Sequence, residues 1–223
     1  MERIVVGLWR ATGTTAAACR EVLLADWLAD AAGRLGRDAI SFLVQRADQG
    51  RHAHEPDESG DVPNADALIV IDPGEVEVTA AADVPGWQSL VAAARRVEAW
   101  RVRSVVCRAA PVPAALTMVS FVTRRHDLDH DEFVARWAER HAPLALRHHI
   151  GMSGYCQHVV CAALTPGGAT IDGIAELAFA DLADYEHRYY DSEAGMQAIR
   201  EDVARFIEPV PVRLTTLMEP PRA

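Results

Sequence analysis

The chain has 223 residues, half of them hydrophobic and 24% charged, and a formal net charge of −10. This is the composition of a folded chain with room for one large core or two small ones, and an acidic chain without a basic cluster suits neither nucleic acid nor an anionic membrane. Every basic side chain is Arg, which excludes Schiff-base chemistry on lysine.

No basic-then-apolar leader opens the sequence, and no apolar run is long enough to span a bilayer. Cys19, Cys107, Cys156 and Cys161 lack Cys-x-x-Cys spacing, so neither a zinc site nor a disulfide framework is expected, and a reducing cytoplasm fits best.

In chain order, the periodicity predicts a strand at Arg3–Trp9, a helix from Thr15 to Leu35 and a strand at Ala39–Val44. A polar loop follows from Gln45 to Asn64, then a strand at Ala67–Ile71, a helix from Gly86 to Trp100 and a strand at Val102–Arg108. Residues 109–115, with two prolines, read as a linker. Beyond it the order repeats: strand Leu116–Thr123, helix Asp129–His141, strand Tyr155–Ala163, a turn at Pro166, strand Gly173–Phe179, helix Leu182–Ile207 and strand Val210–Met218. Asp129 with Glu132 fits a capping box, and Leu128 with Phe133 a hydrophobic staple.

The repeated order implies an internal duplication, residues 1–110 and 116–219. Leu23, Trp27 and Ala31 repeat the spacing of Phe133, Trp137 and His141, and Asp66-Ala-Leu-Ile-Val-Ile parallels Asp172-Gly-Ile-Ala-Glu-Leu. In that register Ala31 stands for His141 and Val70 for Glu176, so the polar candidates survive only in the second copy. The expected fold class is α+β: two tandem ferredoxin-like βαββαβ units whose sheets pack as an intramolecular barrel able to hold a ligand.

The second half resembles the EthD family of the dimeric α+β barrel superfamily. The resemblance rests on Phe133-x-x-x-Trp137-x-x-x-His141-Ala-Pro-Leu, on Tyr155 and on Asp172-Gly-Ile-Ala-Glu176-Leu, and it covers residues 116–218. Where the family often carries an aromatic two residues after the Glu, this chain has Ala178. The resemblance implies a choice among cofactor-free isomerases, polyketide cyclases, EthD-type dehydratases, cofactor-independent monooxygenases and members without a known reaction.

His141 is expected at a helix end, because Pro143 cannot continue the ladder, and there it serves either as an acid–base group or as a cap for free carbonyls. Ala175, Leu177 and Phe179 form one apolar strand face, which turns Glu176 the other way, into the barrel, with Arg213 as a possible partner. Tyr155 and His158 lie on opposite faces of one strand, so only one lines the interior; the family match favours Tyr155. Cys156 as a nucleophile needs a base and exposure that the sequence does not show. His52 and His54 lie in the polar loop without an assured third ligand, and His148 and His149 follow the helix near the barrel mouth.

These readings converge on a cofactor-free lyase or isomerase performing dehydration, cyclisation or isomerisation of a small cyclic or polyketide-like molecule. His141, Glu176 and Tyr155 are its expected catalytic groups, and Trp137, Phe133, His149 and Arg213 are expected to contact substrate. No metal or cofactor is expected, and the partner is a small apolar or aromatic ligand rather than nucleic acid or membrane. The internal pairing takes the place of a homodimer, with further self-association left open. A non-catalytic ligand-binding protein and a cofactor-independent monooxygenase acting on an electron-rich aromatic are the alternatives.

Overall fold

The computed structural model describes residues 1–10, 21, 27–46, 65–110, 114–208 and 214–220. Among the described residues there are eight strands: β1 (Glu2–Arg10), β2 (Ile40–Gln45), β3 (Ala67–Ile71), β4 (Ala94–Arg108), β5 (Leu116–Val122), β6 (Met152–Ala163), β7 (Gly173–Phe179) and β8 (Leu214–Glu219). They close into one antiparallel barrel in the order β1-β3-β2-β8-β5-β7-β6-β4. The helices are α1 (Leu28–Leu35), α2 (Trp87–Ala93), α3 (His130–Arg136), α4 (Ala142–His148), α5 (Leu182–His187) and α6 (Glu193–Val203).

Strand alternation divides the apolar residues into three cores. Val5, Trp9, Leu68, Val70, Trp100, Val102, Val119, Phe121, Val160, Ile174 and Met218 fill the barrel. On the outside, Ile4, Val6, Leu8, Ile69 and Ile71 meet Trp27, Ala31 and Leu90 of the first helical layer. Met118, Val122, Tyr155, Leu177 and Phe179 meet Phe133, Trp137, Ile199 and Phe206 of the second. Each fully buried aromatic ring contributes about 1.5–3 kcal/mol by removal from water.

Three expectations about elements are corrected. The helix foreseen to Trp100 ends at Ala93, because the next residues alternate: Val97 and Ala99 face the outer core while Trp100 and Val102 face the interior. That alternation lets β4 pair along β1 from Arg10↔Ala94 to Glu2↔Arg103. The helix foreseen to end at His141 instead continues to His148. A π turn at Trp137–His141 lets Ala142 N donate to Trp137 O, and Pro143, which has no N–H to lose, falls in the first turn of α4. The helix foreseen over Leu182–Ile207 is broken at residues 188–192, and Ser192 caps the second segment by accepting from Gly195 N at 3.0 Å. The capping box is present: Glu132 N donates to Asp129 Oδ1 at 2.8 Å, and Asp129 N to Glu132 Oε2 at 3.0 Å.

Within each run of four strands the order is the same, β4-β1-β3-β2 and β8-β5-β7-β6, and strand two of each run borders strand four of the other. Register follows suit. Val5 faces Val70 as Val119 faces Glu176, and Leu43 faces Leu68 as His158 faces Ile174. Polar contacts at the strand ends also repeat. Asp66 accepts from Arg10 N at 2.8 Å and donates its own N–H to Leu8 O at 2.7 Å; Asp172 accepts from Arg124 N at 2.9 Å and donates to Val122 O, also at 2.9 Å. Both aspartates also pair with the guanidinium of the same Arg.

Candidate functional site

β6 and β7 decide what faces the interior. Val160 and Ile174 lie in the barrel core while Tyr155, Val159, Ala175 and Leu177 lie outside, so Cys156, His158 and Glu176 point inward. Cys156 sits directly across from Glu176, and β4 brings Ser104 opposite His158. His158 Nε2 lies 2.7 Å from Glu176 Oε1, and His158 Nδ1 lies 2.7 Å from Ser104 Oγ. The His158 side chain is 1% exposed and the Glu176 side chain 19%, so solvent reaches the carboxylate and not the ring.

Burial disfavours charge on His158, but hydrogen bonds to Cys156 and Glu176 and the charges of those two groups outweigh it, and the imidazole is pushed up to about 10. An imidazolium donates from both nitrogens, so Glu176 and Ser104 are its acceptors and the Ser104 hydroxyl keeps its own proton for another partner.

The expected catalytic trio is divided by the sheet. Glu176 is inside, whereas Tyr155 and His141 lie in the layer between the sheet and the second group of helices. The Tyr155 oxygen accepts from Gln157 Nε2 at 2.8 Å, and burial pushes the phenol far above its ordinary range. The same Gln157 amide donates to Trp137 O at 3.1 Å, which ties it to the π turn. His141 lies mid-helix rather than at a helix end; its Nδ1 is 3.1 Å from Asp202 Oδ2 and its ring is 5.2 Å from that of Phe206. The hydrogen bond from His141 holds Asp202 below the usual carboxylate range against the effect of burial, with help from the charges of His141, Arg136 and Arg205.

Phe133 and Trp137 pack as tilted rings with centroids 5.4 Å apart within this outer core, with Trp137 close against Gly173. His149 is buried in the same layer, where its Nδ1–H donates to Tyr189 O at 2.7 Å. The proposed partner Arg213 and the loop histidines His52 and His54 lie outside the described residues.

His158 is the residue that sequence reasoning set aside. The signal for it was the period of β6 itself: once β7 turns Glu176 inward, the pairing partner of Ile174 must turn inward too. Among the described residues, no group of three His, Cys, Asp or Glu side chains is placed to hold a metal ion, and no helix is long and apolar enough to cross a membrane.

Residues 125–209 match the EthD domain. That segment runs from the start of the α3 region past the end of α6, and it includes the His141–Asp202 and His158–Glu176 pairs. No curated protein matches the chain in sequence.

Three solved structures share the fold across nearly the whole chain. An anthrone oxidase-like protein is 11% identical with a TM-score of 0.55, covering 97% of this chain and 90% of its own. A monooxygenase-assigned protein from Lactobacillus acidophilus NCFM is 10% identical, TM-score 0.52, covering 97% and 92%. Another monooxygenase-assigned protein, from Fusobacterium nucleatum, is 7% identical, TM-score 0.50, covering 98% and 91%.

At these identities the likeness establishes the fold, and the activities named are those proteins' own. They are oxidative, and this overturns the expectation of an EthD-like dehydratase, cyclase or isomerase, together with the lyase, isomerase and cofactor-free labels that went with it.

Proposed function

We propose that the chain oxidises an electron-rich aromatic molecule with molecular oxygen, the oxygenation reading left open by the sequence. The observation that carries this is the inward-facing Glu176 carboxylate held by the His158 imidazolium, with Ser104 bonded to the other side of the same ring. Removing a proton from a phenol, or from a methylene between aryl rings and a carbonyl, gives an electron-rich anion that molecular oxygen can oxidise. For such a methylene the balance is CH2 plus O2 giving C=O plus water.

Glu176 is the proton acceptor in this scheme. The Ser104 hydroxyl donates to the substrate oxygen on which negative charge develops, and the buried His158 charge stabilises that anion. His158 itself stays protonated at neutral pH and is no base, because its own protonation range is raised. The names of the similar folds, monooxygenase and anthrone oxidase-like, support oxidation over proton shuffling alone.

Within the same reading, the barrel is an intramolecular pseudo-dimer of residues 1–110 and 116–219. The repeated strand order and the paired Arg10–Asp66 and Arg124–Asp172 contacts support this. The second half carries the acid–base groups, and Val70 and Leu43 occupy the first-half positions of Glu176 and His158.

The test is oxygen uptake with anthrones and polyhydroxylated aromatics, with and without added reduced flavin or nicotinamide. Product is followed by mass for the gain of one oxygen. Uptake by wild type that is lost in Glu176→Gln supports the proposal; conversion without oxygen uptake refutes it.

A further inference from the structure

The opposite end of the barrel holds a second buried carboxylate. Glu98 lies on the interior face of β4 next to the aromatic cluster, with its side chain 4% exposed. One oxygen, Oε1, accepts from Arg96 Nε at 2.7 Å and lies 2.6 Å from Arg96 Nη2. The other, Oε2, is sealed from solvent and has no hydrogen-bond partner among the described residues.

Such an acceptor costs free energy in the absence of a donor. Trp100 lies two residues along the same interior face of β4, within the aromatic cluster of the barrel. The Arg96 guanidinium stacks over Trp9 at 4.4 Å, Trp9 lies 6.0 Å from Phe121, and Trp100 lies 5.5 Å from Phe121.

The five-residue turn Pro166–Thr170 lies over this end. A Cβ on Gly167 would come within 2.2 Å of Glu98 Oε1, and one on Gly168 within 2.6 Å of Trp100 Nε1. Trp100 Nε1–H donates to Gly168 O at 2.9 Å, and Ala99 N donates to Thr165 Oγ1 at 3.1 Å. Glycine at both contact points lets the turn approach the carboxylate and the indole closely.

We infer that Glu98 Oε2 is a binding site for the hydroxyl of a neutral phenolic ring, entered beneath the Pro166–Thr170 turn. Arg96 already compensates the carboxylate charge, so a neutral donor with an apolar body fits better than a cation, and Trp9, Trp100 and Phe121 provide ring faces for it. This site is separate from Glu176 and does not depend on the oxygenation reading.

Calorimetric titration with phenol and with toluene, which lacks the hydroxyl, tests it. Wild type binds phenol about tenfold or more tightly than toluene, the preference of a buried acceptor for its donor. Glu176→Gln, which removes the other carboxylate of the barrel, retains the preference, and adding Glu98→Gln to it reduces phenol to the toluene level. Equal binding of the two ligands to wild type, which requires no variant to fold, overturns the inference. So does a preference lost in Glu176→Gln and kept in Glu98→Gln, which moves the phenol to the other end.

Discussion

Among the histidine–carboxylate pairs of the second half, two with a buried imidazole, His141–Asp202 and His158–Glu176, lie on opposite faces of the same sheet, and their chemistry diverges. His141 and Asp202 meet under the helices, with one imidazole nitrogen on the carboxylate and a further cation, Arg136, 3.6 Å from Asp202. His158 and Glu176 meet inside the barrel, where both imidazole nitrogens are engaged and the neighbours are a thiol and a hydroxyl. Asp202 of the outer pair is displaced downward from its ordinary range, and His158 of the inner pair upward. The lesson is that a shared pairing does not imply a shared role. The surroundings decide what each pair can do, and the inner pair leaves a solvent-reached carboxylate beside a fixed positive charge.

The sharpest break between the pairs is in turnover. Glu176→Gln removes the proposed proton acceptor and lowers oxygen uptake roughly 10²–10⁴-fold, the range for a lost proton-transfer group. His141→Ala leaves the barrel groups in place and keeps most of the turnover per folded molecule. Steady-state uptake on both variants, corrected for folded fraction by circular dichroism, decides the matter; the reverse pattern transfers the chemistry to the helical layer.

Stability against pH separates them next. His158 is raised when folded, so its contribution is complete below its unfolded value of about 6.5 and is lost as pH climbs through about 10. Asp202 is lowered when folded, so its contribution is present above the ordinary carboxylate value and lost as pH falls through the depressed one. Urea midpoints of wild type therefore decline on the alkaline side, and His158→Leu flattens that limb. Asp202→Asn flattens only the acid side. An alkaline limb unchanged in His158→Leu would disprove the imidazolium assignment.

How legible was this in the sequence? The alternation of Gly173–Phe179 suffices to turn Glu176 inward, and the Asp129–Glu132 box fixes a helix start, since both signals are local. His158 was hidden because facing depends on register between β6 and β7, which pairing across the sheet determines. Asp202 lies 61 residues from His141, and no local pattern links the two. Ala94–Trp100 read as helix because its alanines and arginines favour helix, until pairing with β1 overrode that preference. Pro143 marked a helix end that the π turn at Trp137–His141 bypasses.

The second helical layer and the barrel interior differ in how closely a tryptophan packs against glycine, and this gives a smaller effect. A Cβ on Gly173 would lie 2.4 Å from the Trp137 ring, whereas one on Gly7 would lie 3.1 Å from the Trp9 ring. Gly173→Ala forces Trp137 to move within a filled core and costs about 1–3 kcal/mol, while Gly7→Ala asks for a shift of a few tenths of an ångström and costs less. Denaturant midpoints that rank the two the other way would show that the Trp137 layer yields more readily than the barrel interior.

The smallest effect lies at the entry to the helix that bears His141. Asp129 and Glu132 satisfy each other's backbone N–H groups, and Asp129→Ala removes one half of that exchange. The expected loss is about 1 kcal/mol, typical of an N-cap deletion. Asp129 is remote from Glu176, since the sheet stands between them, so oxygen uptake by the folded variant should match wild type. A fall in uptake larger than the fall in folded protein would show that the position of this helix governs the barrel site, and the division between the two faces would no longer hold.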